Sequence, residues 1–250
     1  MTKTTKYRAP ALDKGLDILE LLARTPGSLN LTEIAQGIGY SKSEIFRMLQ
    51  VLEARGYLVR EGNDGAYALT NRLFLLGMER PPIKGLTEAS LPVMHRLAEQ
   101  IKQPCHLVVA SQDQIVVIAR VDAPSDIGFV VRVGHRRPLA HATSGAVLFA
   151  FQGEETQQRW LALMEAGEER FKRKPFLATV EQIREQGYAA LPSEAVDAVT
   201  DLSAPILQDG HAVGTLTIPF VERHPVTVSV KQAIQHLRDA AKDISAALLH

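Results

Sequence analysis

From Ala11 onward the apolar residues Leu12, Leu16, Leu19, Leu22 and Ala23 recur at the spacing of one helix face. The stretch RTPGSLN at residues 24–30 contains Pro and Gly and stops that pattern. A second helix is expected from Asn30 or Leu31, with Thr32 at its start and Ile34, Ala35 and Ile38 on its inner face. Gly39 stops it, because a residue free to take positive φ suits a helix end. Ser41, with Glu44 three positions on, forms a capping-box signature for a third helix. Its buried stripe is Ile45, Met48, Leu49, Leu52 and Ala54. After Gly56, YLVRE and AYALT flank GNDG and read as two short strands joined by a turn. Residues 71–80 predict a further short helix, and PPIKG at 81–85 reads as a linker.

Beyond that point the pattern mixes two periods. Helical spacing appears at 86–100, 144–151, 154–166 and 178–186, and from Val226 to the C-terminus. Strand-like runs appear at 105–111, 114–121, 128–133, 204–207 and 212–219, with Asp209-Gly210 between the last two as a hairpin cue. The expected class is α+β: a helical N-terminal module over 1–70, a linker helix and linker over 71–85, and an α+β domain with an antiparallel sheet over 86–250. Residues 1–10 read as an arm, and no internal repeat is visible.

Composition narrows the function. The chain has 250 residues, 28 Lys+Arg against 28 Asp+Glu, and therefore no global polycationic character. Any nucleic-acid footprint must be local. One cysteine, Cys105, excludes an intramolecular disulfide framework and a CxxC metal site and suits a reducing compartment; it reads as a small buried hydrophobe. The basic, polar N-terminus lacks an apolar core for a secretory signal, and no apolar run approaches the ~20 residues of a membrane span. A cytoplasmic location with no membrane partner is expected.

Three helices followed by two strands within residues 11–70 form the layout of a winged helix-turn-helix. A major groove about 12 Å wide admits one helix, which must present the side chains at its N-terminal end to base edges. Ser41, Lys42, Ser43, Glu44, Phe46 and Arg47 include positions that face away from the apolar stripe of the third helix. Lys42 and Arg47 suit phosphate or guanine, Ser43 phosphate or a base edge, Glu44 cytosine N4, and Phe46 a thymine methyl. Arg60 and Tyr67 flank the wing tip, where backbone or minor-groove contacts fall. Residues 1–80 carry 11 Lys+Arg and 9 Asp+Glu, so one module is only mildly basic. Because phosphate neutralisation dominates affinity, a symmetric dimer on a two-fold site is expected.

The run from ALDKGLDILELLA through LTEIAQGIGYSKSEIFRMLQVLEARGYLVREGNDGAYALTNRLFLLG resembles the DNA-binding domain of the IclR family of bacterial transcription regulators. GHRRPLAHATSGAVLFAF, IREQGYAAL and VTDLSAPILQDGHAVGTLTIPF resemble, in the same order, that family's effector-binding domain. The resemblance implies a GAF/profilin-like C-terminal domain and a homodimer or dimer of dimers. It also implies binding of double-stranded operator DNA under control of a small-molecule effector, an organic or aromatic acid. Where the family commonly has Pro-Lys-Ser-Thr, this chain reads Ser41-Lys42-Ser43-Glu44, which predicts a different base preference.

The resemblance also implies a pocket bounded by three segments. HATSG supplies His141, Thr143, Ser144 and Gly145, and a helix start there suits a carboxylate through its free N–H groups. VTDLSAP supplies Asp201, with Thr200-Asp201 where relatives often carry Arg-Cys, and GTLTIP supplies Thr217 facing inward. Met94, Phe129, Val131 and Leu139 are expected as apolar walls. A buried Asp201 requires a partner, whether a donor-rich effector, a cation such as His141, or a metal; the alternative is a loop aspartate that caps a turn.

Other chemistry is weaker. Arg132, His135, Arg136 and Arg137 read as a solvated charge run. Eight histidines, none before His95, show no tight metal-binding spacing, although a metal-responsive regulator remains an alternative. His141, Ser144 and Asp201 hold triad chemistry in name, but no G-x-S-x-G elbow surrounds Ser144, so a small Ser/His hydrolase is the distant alternative. No catalytic set, metal site or cofactor fingerprint is expected.

Overall fold

The computed structural model describes residues 9–62, 65–123, 129, 131–167, 171–222 and 227–249. The chain divides into two compact units, Met1–Pro81 and Pro82–His250. In the first, α1 (Pro10–Arg24), α2 (Leu31–Ile38) and α3 (Lys42–Ala54) precede β1 (Leu58–Glu61), β2 (Ala66–Leu69) and α4 (Arg72–Met78). Helix starts follow the local chemistry. Pro10 opens α1, where its missing N–H costs nothing. Asn30 Oδ1 accepts from the N–H groups of Thr32 and Glu33 at 2.9 and 3.1 Å, while Asn30 N donates to Glu33 at 2.8 Å. Gly39 ends α2 at φ 73°. Ile18, Leu22, Ile34, Ile45, Leu49 and Leu58 close the core of this unit.

The second unit is built on a six-stranded antiparallel sheet ordered β5-β4-β3-β8-β7-β6. Its strands are β3 (Cys105–Ser111), β4 (Gln114–Val121), β5 (Arg136–Pro138), β6 (Ala189–Pro192), β7 (Val199–Gln208) and β8 (His211–Val221). Its helices are α5 (Pro81–Ile101), α6 (Thr143–Ala150), α7 (Glu154–Gly167), α8 (Arg173–Gln186) and α9 (Val230–Ala247). The β7–β8 turn takes positive φ at Asp209 (51°) and Gly210 (77°), the geometry a two-residue hairpin demands. One sheet face is apolar: Leu107, Leu202, Ala204, Leu216, Ile218 and Phe220 pack against α5 and α9. The other face meets α6, α7 and α8 through Val108, Ile115, Val117, Phe149, Trp160 and Phe176.

Several expectations change. Residues 81–85 are not a linker but the first turn of α5, since a helix start tolerates prolines that have no N–H to donate. The strand expected over 128–133 does not form at Phe129 or 131–133; residues 128 and 130 lie outside the described set, as do Asn63 and Asp64 of the wing turn and residues 1–8 of the arm. Pro10, expected in the arm, is helical. The apolar pattern does not announce β5 and β6, β7 and β8 run longer than expected, and α8 begins earlier. The last helix starts at Val230 behind a Ser229–Gln232 capping box, and Val226 is outside the described residues.

Candidate functional site

On α3, Ile45 and Leu49 are buried, while Lys42, Ser43, Phe46, Arg47 and Gln50 are exposed. Ser43, Phe46, Arg47 and Gln50 follow the i, i+3, i+4, i+7 spacing and therefore share one face. Phe46 is 41% exposed, a large apolar ring left in water beside a cation. Among the described residues neither Lys42 nor Arg47 makes an ion pair, so both remain available to an external anion. Gln50 is absent from the sequence-based set, although the spacing from Ser43 points to it. A glutamine there suits the N6/N7 edge of adenine.

Glu44 is occupied within the protein. Its carboxylate accepts from Ser41 N (2.9 Å), Ser41 Oγ (2.7 Å) and Lys14 Nζ (2.8 Å). The Lys14 bond, followed by those from Ser41, lowers its pKa to about 2. The acid that replaces the family's threonine therefore caps α3 and ties it to α1, and it meets a base only by giving up those bonds. Tyr67 is a correction: it is 3% exposed in the core, so its ring offers no surface to DNA. Its partner across the hairpin, Arg60, donates to Glu53 at 3.0 Å and lies 4.9 Å above the Tyr67 ring, a structural stack.

In the second unit, a cavity of about 270 Å³ lies against the polar end of the sheet face opposite α5 and α9. It is lined by His106, Thr217 and Asp201 from the sheet, Thr143 and Ser144 from α6, Arg132, His135 and Arg137, and the apolar Ile115, Val117, Phe129 and Val131. The first intrahelical bond of α6 runs from Ala146 N to Ala142 O at 3.0 Å, so the N–H groups before it have no helical acceptor. Positive partial charge and two arginines thus border the same cavity. Asp201 lies on β7, paired with Pro219, and is not a loop aspartate. Burial raises its pKa; a hydrogen bond from Ser193 and the Arg137 charge oppose that rise, and Glu194 adds to it. His106 is pushed down to about 4, first by burial and then by the nearby His135. It is a neutral imidazole at ordinary pH.

Arg132, His135 and Arg136 are exposed, as expected of a solvated charge run, and Arg137 is half-buried; Arg132, His135 and Arg137 also line this cavity. His141 opens instead onto a neighbouring cavity of about 790 Å³, lined also by Lys172, Phe171, Phe176 and Glu194. Its Nδ1 lies 3.3 Å from Glu194, which also accepts from Arg137 at 3.0 Å. Leu139 is fully buried in the core and Met94 lies on the α5 side of the sheet, so neither is a cavity wall. Gly145 is needed for packing: a Cβ there would collide with the Leu139 carbonyl. Cys105 is buried, and its pKa rises to about 12, as for an inert thiol. Among the described residues no group of three or more His, Cys, Asp or Glu could hold a metal ion, and no helix is long and apolar enough to cross a membrane.

Residues 11–62 match the IclR helix-turn-helix domain, and residues 84–246 match the C-terminal domain of bacterial transcriptional regulators of the IclR type. The chain belongs to the IclR family. Relatives include the HTH-type transcriptional regulator KdgR of Escherichia coli, 28% identical over 87% of this chain and 85% of that protein. The HTH-type transcriptional repressor AllR of Salmonella typhimurium is 26% identical over 98% of this chain and 92% of that one. Among solved structures, an IclR homologue from Microbacterium hydrocarbonoxydans in complex with 4-hydroxybenzoate superposes with TM-score 0.78 at 20% identity, covering 96% and 99% of the two chains. HmgR of Pseudomonas aeruginosa gives 0.76 at 24%, covering 95% and 98%. This IclR-family chain thus pairs a helix-turn-helix domain with an α+β effector-binding domain, and it is a transcriptional regulator. The hydrolase and metal-sensor alternatives gain no support from these matches.

Proposed function

We propose that the chain binds two-fold operator DNA as a homodimer or dimer of dimers in the cytoplasm, is not an enzyme, and releases or engages that DNA on binding a small organic or aromatic acid. Residues 1–70 read DNA, the segment with α4 over 71–80 connects, and the α+β unit that begins with α5 senses the acid. The observation that carries the effector class is the smaller cavity. Arg132, Arg137 and the α6 start at Thr143 and Ser144 line it, which suits a carboxylate. A volume of about 270 Å³ favours a compact metabolite over a drug-sized one. A similar fold elsewhere accommodates 4-hydroxybenzoate.

The exposed Ser43, Phe46, Arg47 and Gln50 face supports DNA reading, with Ser41 and Glu44 capping and Lys42 available to phosphate. Leu12 and Leu16 on α1 and Leu73, Phe74, Leu75 and Leu76 on α4 are 40–61% exposed, which supports pairing with a second copy. An effector shifts operator affinity only if it binds two arrangements of the assembly unequally. Fluorescence anisotropy of promoter DNA against random duplex, at several salt concentrations with and without candidate acids, tests this. Equal binding of promoter and random duplex would remove the operator claim, and an operator affinity unchanged by every acid would remove the effector claim.

A further inference from the structure

The sheet face that borders the smaller cavity is polar where a core would be apolar. His106 pairs with Thr217 across β3 and β8, and Thr217 pairs with Ser203 across β8 and β7. Asp201 stands two residues from Ser203 and therefore on the same face. The opposite face at the neighbouring positions is Leu107, Ile218 and Leu202, all apolar. A polar row under a helical layer is costly unless each group is bonded. Two of its members satisfy each other: Ser203 Oγ and Thr217 Oγ1 are 2.9 Å apart.

His106 differs. It is 7% exposed and lines the cavity, yet its ring has no hydrogen-bond partner among the described residues. A neutral imidazole carries one donor and one acceptor and thus matches a hydroxyl, which offers both. Asp201 contributes acceptors at the same cavity, with Ser193 bonded to part of its carboxylate. The arginines and the α6 start lie at the same cavity for an acid group. Its lining therefore holds two chemistries, one for a carboxylate and one for hydroxyls.

We propose that His106 and Asp201 are the specificity-determining residues of this cavity and that its effector is a hydroxylated carboxylic acid. The acid group faces Arg137 and the α6 start, and its hydroxyls bond His106 and Asp201. This rests on the acid-sensing reading above and adds the hydroxyl requirement to it. An acid of equal size without hydroxyls leaves the buried His106 ring unpaired and part of the half-buried Asp201 carboxylate without a donor, which a site built for hydroxyls rejects.

Isothermal titration of the full chain with matched carboxylates tests it: hexanoate against gluconate, and benzoate against 4-hydroxybenzoate. At least one hydroxylated member should bind about tenfold or more tightly than its counterpart. His106→Phe and Asp201→Leu, which remove the hydrogen-bonding groups, should each bring the hydroxylated member's affinity down toward that of its counterpart, and His106→Gln, which keeps a donor and an acceptor, should restore much of the difference. Far-UV circular dichroism melts of each variant separate lost recognition from lost folding. Binding of acids without hydroxyl preference, or a preference that survives both substitutions, overturns this inference and leaves acid sensing standing. Binding of no carboxylate in either pair counts against both.

Discussion

Acidification tests the burial of His106 directly. The imidazole titrates near 6.5 in an unfolded chain and near 4 in the folded one, because burial and the His135 charge disfavour its cation. A folded pKa below the unfolded value means that the unfolded state takes up the proton first. The stabilisation is therefore whole above pH 6.5 and is lost as pH falls toward 4. The separation of about two and a half pH units corresponds to about 3 kcal/mol in full, of which about 2 kcal/mol is gone by pH 5. Trp160 is the sole tryptophan and lies buried in the same unit, so its fluorescence reports that unit's unfolding in urea. Between pH 7 and 5 the native chain should lose about 2 kcal/mol more than His106→Phe, whose ring fills the site without charging. Superimposable pH dependences for the two proteins would refute a buried neutral His106.

Other substitutions probe separate parts. Asp201→Asn should raise the melting temperature at pH 7 in calorimetry, because the folded pKa is raised and the ionised carboxylate is disfavoured at every pH above the unfolded 3.8; an unchanged or lower value would mean that Ser193 and Arg137 fully offset the burial. Gly145→Ala should destabilise the second unit by roughly 1–3 kcal/mol or more, read by the same Trp160 urea titration, since the new Cβ meets a backbone carbonyl that cannot swing aside. Ser41→Ala removes a donor to Glu44 at the start of α3 and should cost about 1 kcal/mol in the first unit, measured by helical ellipticity on heating. Arg47→Ala should weaken operator binding and reduce the slope of log affinity against log salt by about one, with the melting curve unchanged.

The IclR assignment is legible in the sequence, because the reader module is written in local terms. Apolar spacing, the Ser41–Glu44 capping box and the stop at Gly39 act within one or two helical turns, and the structure contains each. The Asp209-Gly210 hairpin is local in the same sense. Pro81–Pro82 misleads because proline punctuates both linkers and helix starts, and only the packing of residues 83–101 decides between them.

Features that the sequence leaves open depend on strand neighbours. β5 and β6 are short edge strands with three and four residues, and they exist because β4 and β7 offer them partners. Tyr67 reads as a wing residue along the chain, but its backbone bridges to Leu29 and its ring joins the cluster of Ile18, Ile45 and Leu49, which makes it core. Family resemblance points to Asp201, Thr217 and Ser144 as cavity residues, and it is silent on His106 and on Gln50 of the reading face. His106 sits in an otherwise apolar run, and its meaning appears only when β8 and β7 place Thr217, Ser203 and Asp201 on the same face. Helix identity is set by neighbours in sequence; a cavity is set by which strands lie side by side, and that order is a property of the folded sheet alone.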